Sequence, residues 1–407
     1  MRSRTKKTLL ATVIVISFVF FVWGIIFQDW LVKPSGSSKE QTLKIALIIS
    51  KNGFGEAIYS SASLAVLDLN ENGNEYQYEL LAKDHGQDLN KAREIAQNLM
   101  KEENIIAVVG DTDAQIVSEV AKVFQGSDIP FIHFSSSNKV PSGENIFRAA
   151  YTEKFQGKEL ADLIINKSGF DKIAVVWDEE DYFYGTNFEG VITSFVEAAD
   201  QAGAVIVNRY GDELNFAIST EEIKEGDPES VLIVGSPFKS ASALKEIKDA
   251  GLNSFLVMGG ISSFIKSFSN FVGQDYIENV IFLSPIAYSY SRGPKERVSS
   301  WWGSYENSFP EFVEMKQTWV APYLYDLLYV VIGDTIKQVD VSDADIFSEK
   351  VVRLRDTIKN VFSNVEIAGL ITDQMIRFND EGNILIEKFF WESIDREGQF
   401  ILIDKGE

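Results

Sequence analysis

The chain has no cysteine. Disulfides, thiol nucleophiles, cysteine metal sites and lipid-acceptor thiols are therefore excluded, and the fold must stand on packing alone. Histidine is scarce too: His85 and His133 each end an apolar run, and neither has an obvious nucleophile or metal partner in the sequence. His133, inside an apolar strand, reads as a packing residue. No H-E-x-x-H, G-x-S-x-G or G-x-x-x-x-G-K-[ST] pattern occurs. Positive charge is also in deficit. Thirty-eight basic against 60 acidic residues give a formal net charge of -22, with no segregated basic patch, which argues against a nucleic-acid partner. Plentiful carboxylates in an acidic chain are not a catalytic pair, so neither an enzyme nor a cofactor or metal is expected.

What is present is core. A chain of 407 residues that is 45% apolar and 12% aromatic can fill two domains or lobes, beyond the size at which one core usually stops growing.

The N-terminus carries the clearest local signal. Residues 1–7, "MRSRTKK", hold four positive charges, and residues 8–27, "TLLATVIVISFVFFVWGIIF", follow without a charge. At a rise of about 1.5 Å per residue such a helix covers about 30 Å, the thickness of a bilayer's hydrocarbon core. Basic residues before the span and Trp30 after it predict a cytoplasmic start and an extracytoplasmic remainder. The rival is a cleaved signal peptide, against which stand the length of the run and the bulky residues at its end. Residues 28–42, ending in "KPSGSSKEQT", read as a tether.

Beyond the tether, short Ile- and Val-rich runs alternate with amphipathic segments. Strands are expected at 43–50, 76–84, 105–110 and 129–134, then at 172–178, 204–211, 230–236 and 255–260. Between them, "DLNKAREIAQNLM" puts Leu89, Ala92, Ile95, Ala96 and Leu99 on one face behind Asp88. "DAQIVSEVAKVF" does the same with Ile116, Val117, Val120 and Phe124. Apolar strands separated by helices predict two doubly wound α/β lobes with parallel sheets. A long apolar helix is expected around "QTWVAPYLYDLLYVVIGDTIKQV", and short strands with turns at Glu381-Gly382 and Glu397-Gly398 close the chain.

In such sheets ligands bind outside the carboxyl ends of the strands. Four strands here end in small polar residues: "GDTDA", "SSSN", "GSPFKS" and "GGISS". Backbone N–H groups and hydroxyls at a helix start suit a carboxylate or another polar head group, whereas each turn alone reads equally as a helix cap.

From about Leu43 to the end, the chain resembles the type I periplasmic binding proteins, in their branched-chain amino-acid-binding branch. The resemblance runs through "IALIISKNGFGEAIYSSASLAVLDLNENG", "LLAKDHGQDLNKAREIAQNLM", "IIAVVGDTDAQIVSEVAKVFQGSDIPFIHFSSSN", "FRAAYTEKFQGKELADLI", "KIAVVWDEEDYFYGTNF", "APYLYDLLYVV" and "MIRFNDEGNI". It implies two lobes joined by three hinge crossings, 43–151 plus 284–372 and 152–283 plus 373–407, closing on a small ligand. It also implies delivery of an amino acid or similar polar solute to an ABC permease. With seven residues before the span, delivery is expected rather than signalling. A ligand-sensing ectodomain and a degenerate clamp serving as a protein-binding scaffold stay open as alternatives.

The resemblance places Ser135 and Ser137, with Ser136 between them, where the family offers a carbonyl and a hydroxyl to the ligand's amino and carboxylate groups. Phe54 stands at the covering aromatic of lobe 1, and Tyr184 at a tyrosine of lobe 2. Ala114 holds the position of a carboxylate-binding serine and leaves only its N–H. Ser236 stands near a family aromatic, and Ile261, beside Ser262, near the acid that pairs with an ammonium. Asp113, or an acid of "DEEDY" (178–182), would instead suit a cationic or amine-bearing solute, unless "DEEDY" is a solvated loop.

Overall fold

The computed structural model describes residues 42–51, 54–71, 76–177, 188–211, 220–252, 254–259, 271–284, 296–309, 319–339, 347–372, 375–386, 389–394 and 400–404. The basic segment, the apolar span and all of the tether but Thr42 lie outside these, as do "DEEDY", Tyr184, Ser262 and the turn at Glu397-Gly398. Among the described residues no helix is long and apolar enough to cross a membrane.

The first sheet is built from β1 (Thr42–Ile49), β2 (Gln77–Asp84), β3 (Ile105–Gly110), β4 (Phe131–His133) and β5 (Ile146–Arg148), in the order β2-β1-β3-β4-β5. Strands β1, β3, β4 and β5 pair in parallel. Every residue of β3 is buried, the pattern of a central strand covered on both faces. Three helices follow its strands: α1 (Phe54–Glu71), α2 (Leu89–Leu99) and α3 (Ala114–Phe124). The side chain of Asp88 accepts from the N–H groups of Asn90 and Lys91, so it caps α2 as its place before the apolar face predicts. Ala92, Ala96 and Leu99 are buried and Ile95 packs partly against them, but Leu89, at the first helical position, is exposed.

The second sheet takes β6 (Lys172–Trp177), β7 (Val205–Gly211), β8 (Ser230–Val234), β9 (Phe255–Gly259) and β10 (Val280–Ser284). After a two-stranded ribbon, β11 (Ile367–Ala368) and β12 (Met375–Ile376), the chain adds β13 (Phe390–Ile394) and β14 (Phe400–Asp404) to that sheet. Its order is β14-β13-β10-β9-β8-β6-β7, parallel from β7 through β10 and antiparallel at β13 and β14. Its helices are α4 (Glu153–Ala161), continued by a π-helical stretch Asp162–Lys167, then α5 (Glu189–Ala202), α6 (Thr220–Gly226), α7 (Pro237–Asp249) and α8 (Gln274–Ile277). The apolar runs did not single out β5 or β10. The first is three residues ending in a charge, and the second follows α8 after a two-residue turn.

Between β10 and β11 the chain returns to the first sheet. It forms α9 (Glu296–Ser308), then α10 (Val320–Tyr325), which runs through a π-helical stretch Asp326–Ile332 into α11 (Gly333–Gln338), and finally α12 (Phe347–Asn364). Ser61 of α1 donates to the carbonyl of Ala321 in α10. Buried Arg355 of α12 donates to the Ile105 carbonyl (2.6 Å), the Glu103 carbonyl (3.1 Å) and the Asp128 carboxylate (2.7 Å). The Asp326 carboxylate, fully buried, accepts from the N–H groups of Ile371 and Thr372 and from the Thr372 hydroxyl, which fixes the chain beyond α12. Burial pushes that carboxyl up to about 6, against the donors that hold it down.

The chain therefore passes between the sheets three times: after β5, after β10 and before β13. Aromatic rings meet where the first and third of these passages run. Phe134 meets Trp319 at 6.1 Å, Trp319 meets Tyr151 at 5.3 Å, Tyr151 meets Phe389 at 5.2 Å, and Phe389 meets Phe155 of α4 at 5.4 Å between ring centroids. Within the second layer, α4 and α5 touch at Gly157, where an added Cβ would lie 2.3 Å from the Val191 carbonyl oxygen and 2.7 Å from the Phe195 nitrogen. Gly157→Ala is expected to lower the unfolding free energy by about 2 kcal/mol through overpacking against backbone that cannot yield. A denaturant midpoint unchanged from wild type would show that the helices separate freely.

Candidate functional site

The carboxyl ends of the first sheet's strands converge on one residue, Asp111, immediately after β3. Its Oδ2 accepts from the N–H of Ser50 beyond β1 at 2.7 Å and lies 3.0 Å from Nε2 of His85 beyond β2. Its Oδ1 accepts from the N–H of Thr112 at 2.7 Å and from the Thr112 hydroxyl at 3.3 Å. The His85 Nδ1 accepts from the Gln87 N–H at 3.0 Å, so Nε2 carries the proton and donates to Asp111. Both side chains are buried, His85 at 1% and Asp111 at 4% exposure. Three strand ends are thus locked by one carboxylate. His85 does have a partner, 26 residues away in sequence.

Gly55 lets α1 begin against this edge, since a Cβ there would lie 1.8 Å from the Ser50 carbonyl oxygen. Phe54, the first residue of α1, is half-buried beside it.

After β4 comes the serine row. Ser135 is buried, and its N–H donates to Nδ1 of His133 at 3.2 Å. His133 itself is fully buried and lies 5.9 Å from the Phe131 ring. Burial, with help from the Arg148 charge, holds its imidazole well below the usual range, so it stays neutral as a packing residue. The Ser136 carbonyl accepts from the Glu153 N–H at 3.1 Å, and the Ser137 hydroxyl accepts from the Lys139 N–H at 3.3 Å.

Behind the row lies Arg148, the last residue of β5. Its guanidinium donates to the carbonyls of Ser135 (3.1 Å), Ser137 and Val140 (2.7 Å), and its Nε to the Asn383 side-chain oxygen at 2.8 Å. Beside the row stands Glu153, at the first turn of α4 behind its capping residue Thr152. Its carboxylate accepts from the Asn138 N–H at 3.5 Å and packs on Gly190 of α5, where a Cβ would come within 2.3 Å. Burial raises the Glu153 carboxyl to about 7, against the lowering effects of the Asn138 N–H, Arg148 and Lys139. Burial likewise lowers Arg148, to about 10, so its charge persists at neutral pH. A positive charge behind the row and a titratable carboxyl at its side give the loop a built-in polarity.

The remaining expected residues divide. Asp113 caps α3, its Oδ1 accepting from the N–H groups of Gln115 (2.8 Å) and Ile116 (2.9 Å), so that carboxylate oxygen serves the helix. Ala114 is the first residue of α3 and half-buried. Ser236 follows β8 at the same edge of the second sheet, as the residue before α7, and its carbonyl accepts from the Ser240 N–H at 2.9 Å. Tyr184 and Ser262 lie outside the described residues. The structure thus brings Phe54, Asp113, Ala114 and Ser135–Ser137 to one edge of the first sheet, with Ser236 on the corresponding edge of the second. Sequence reasoning missed Asp111, Arg148, Glu153 and Asn383. The available signals were an acid directly after a strand-ending glycine and a lone arginine ending an apolar triplet.

Residues 42–345 match the periplasmic binding protein family. Solved structures share the fold at low identity. The branched-chain amino acid transporter substrate-binding protein LivJ of Streptococcus pneumoniae, in complex with isoleucine, aligns with a TM-score of 0.68 at 16% identity, over 89% of this chain and 98% of that one. A leucine-binding protein LivK from Thermotoga maritima gives 0.66 at 16% identity, over 89% and 98%. A solute-binding protein of an ABC transporter from R. palustris, in complex with benzoate, gives 0.66 at 16% identity, over 89% and 95%. Among curated proteins, glutamate receptor 2.7 of Arabidopsis thaliana is 22% identical over 198 residues, 47% of this chain; the match spans about a fifth of the receptor's length.

Proposed function

Because this chain belongs to the periplasmic binding protein family, we propose that it is an extracytoplasmic solute receptor, which clamps a small polar ligand and delivers it to an ABC permease. The ligand is an amino acid or a similar polar metabolite. The lobes are 43–151 plus 284–372 and 152–283 plus 373–407, and residues 8–27 anchor the receptor to the membrane.

The observation that carries this reading is the serine row after β4. Its carbonyls are held from behind by Arg148 and its residues follow the carboxyl end of β4, as Ser236 follows that of β8 in the second sheet. A loop whose backbone is fixed by a buried side chain is ready to contact a ligand without first being ordered, which conserves affinity. The three chain passages supply hinges for closure, and a ligand touching both lobes favours the closed state. No bond need be broken in such a cycle.

Ligand that binds only the native state raises the melting temperature. At a hundredfold excess over its dissociation constant a cognate amino acid is expected to add about 2.7 kcal/mol to stability. Thermal denaturation of the protein against amino acids, amines and aromatic acids tests this. If no compound of that set moves the transition, the solute-binding reading fails.

A further inference from the structure

Arg148 is 2% exposed, and among the described residues no carboxylate lies within ion-pair distance of its guanidinium. Buried charges are ordinarily balanced by an opposite charge. Here its hydrogen-bond partners are four neutral oxygen atoms, three of them carbonyls of loop 135–140 and the fourth the side-chain oxygen of Asn383, and the Glu153 carboxyl acts on it from beyond that distance. The backbone of the same residue is joined to the same distant segment. Its N–H donates to the Gly382 carbonyl at 2.8 Å, and its carbonyl accepts from the Ile384 N–H at 2.8 Å.

The segment so gripped is a rigid turn. The Asn379 side chain accepts from the N–H groups of Glu381 and Asn383, at 3.1 and 2.9 Å. Gly382 has a φ of +74°, and a Cβ there would lie 2.5 Å from the Ile146 carbonyl oxygen. Both conditions require glycine. From Ile384 the chain runs within a few residues into β13 of the second sheet, and from Ala149 it runs into α4. Arg148 stands where two of the three passages leave the first sheet, with its side chain on the loop that carries Ser135–Ser137.

We propose that Arg148 is a positioning residue that couples the serine loop to the third passage through Asn383, so that the state of the loop sets the angle between the lobes. The inference rests on the clamp reading above. A guanidinium suits the role because its planar fork holds several oxygens at once, so a displacement of one carbonyl tilts the group and moves the others. A loop shift on ligand binding would thus reach the turn at 379–383 without an intervening flexible link.

The test uses the full chain in detergent, whose lack of cysteine leaves no background for spin labels. Exposed Gln97 on α2 and Ser242 on α7 are replaced, Gln97→Cys and Ser242→Cys, and pulsed electron paramagnetic resonance gives the distance distribution between the layers. Asn383→Ala, which removes the acceptor of the Arg148 Nε and of the Ser142 hydroxyl (3.4 Å) and leaves the three carbonyl partners of Arg148 in place, is expected to broaden the ligand-free distribution. It is expected to weaken amino-acid binding about tenfold, mostly through faster release. Arg148→Lys, which cannot hold the fork, is expected to broaden the distribution in the same way. A purely structural role would lower the melting temperature and leave the distribution as in wild type. If Asn383→Ala and wild type give superimposable ligand-free distributions, the coupling is refuted. If no amino acid narrows the wild-type distribution or moves its melting transition, the solute reading fails separately, and the ligand-free comparison still decides for or against the coupling.

Discussion

Replacing Asp111 with alanine is expected to lower the unfolding free energy by about 4 kcal/mol and to abolish solute binding. The magnitude follows from what the carboxylate leaves behind. The N–H groups of Ser50 and Thr112 and the Nε2–H of His85 would lose their acceptor in a buried place. Each orphaned donor costs about 1–3 kcal/mol, more where the partner carried charge, and relaxation recovers part of the sum. Binding is lost because the carboxylate joins the ends of β1, β2 and β3 at one point, beside the bond of the His85 N–H to the Ile49 carbonyl at 3.1 Å. Asp111→Asn separates charge from geometry. An amide offers one oxygen where the carboxylate offers two, so its nitrogen must face either the Thr112 N–H or the pair formed by Ser50 and His85. An intermediate loss of about 2 kcal/mol is expected. Denaturant titration of both variants, with melting curves in the presence of amino acids, measures the two effects together. Wild-type behaviour of the alanine variant in both would refute the lock.

Glu153→Gln is expected to raise stability, and to do so only at neutral and alkaline pH. Burial lifts the folded-state carboxyl from an ordinary value of 4.5 to about 7. The folded protein therefore holds the proton more tightly than the unfolded chain. Its stabilising contribution is complete below pH 4.5 and is lost as pH rises through 7. Glutamine carries no charge and escapes that loss. Taking about 1.4 kcal/mol per unit over this interval, the variant should gain up to about 3 kcal/mol over wild type at pH 8 and almost nothing at pH 4.5. The groups facing the carboxyl are the Asn138 N–H, Arg148, Lys139 and Glu189. Arg148, lowered only to about 10, keeps its charge across that range, and Glu153 is the carboxyl that burial raises into it. Denaturant midpoints at the two pH values should diverge. A constant offset between variant and wild type at both would contradict the assignment.

Legibility in the sequence followed the range of the interaction. All eight strands expected from Ile- and Val-rich runs are present, with ends within about two residues, because burial on both faces of a sheet imposes continuous apolarity that a short window records. The caps at Asp88 and Asp113 were legible for the same reason, since a cap touches N–H groups two and three residues on. At Asp113 the local and the functional readings competed for one carboxylate, and the helix holds one of its oxygens. The serine row was visible as composition at a strand end. What holds it was not, because Arg148 lies 13 residues from Ser135 and 235 from Asn383, and no periodicity links them. The pairing of β13 with β10, across about a hundred residues, was likewise not legible in the residues' own pattern, and the family resemblance alone assigned 373–407 to that lobe.

By itself the sequence determined the class of this protein: an acidic, cysteine-free chain of alternating strands and helices, with small polar residues where strands end. Those properties arise between neighbours in the chain, where propensity, apolar period and capping act. Only the tertiary structure decided which residues share the site. It brought Asp111 to His85, Arg148 to the serine loop and to Asn383, and Glu153 to the wall beside Asn138. Hydrogen-bonded side chains meet there at 2.7–3.5 Å only after the sheets have formed. A buried polar group must find a partner wherever packing carries it, and packing is set by the whole chain.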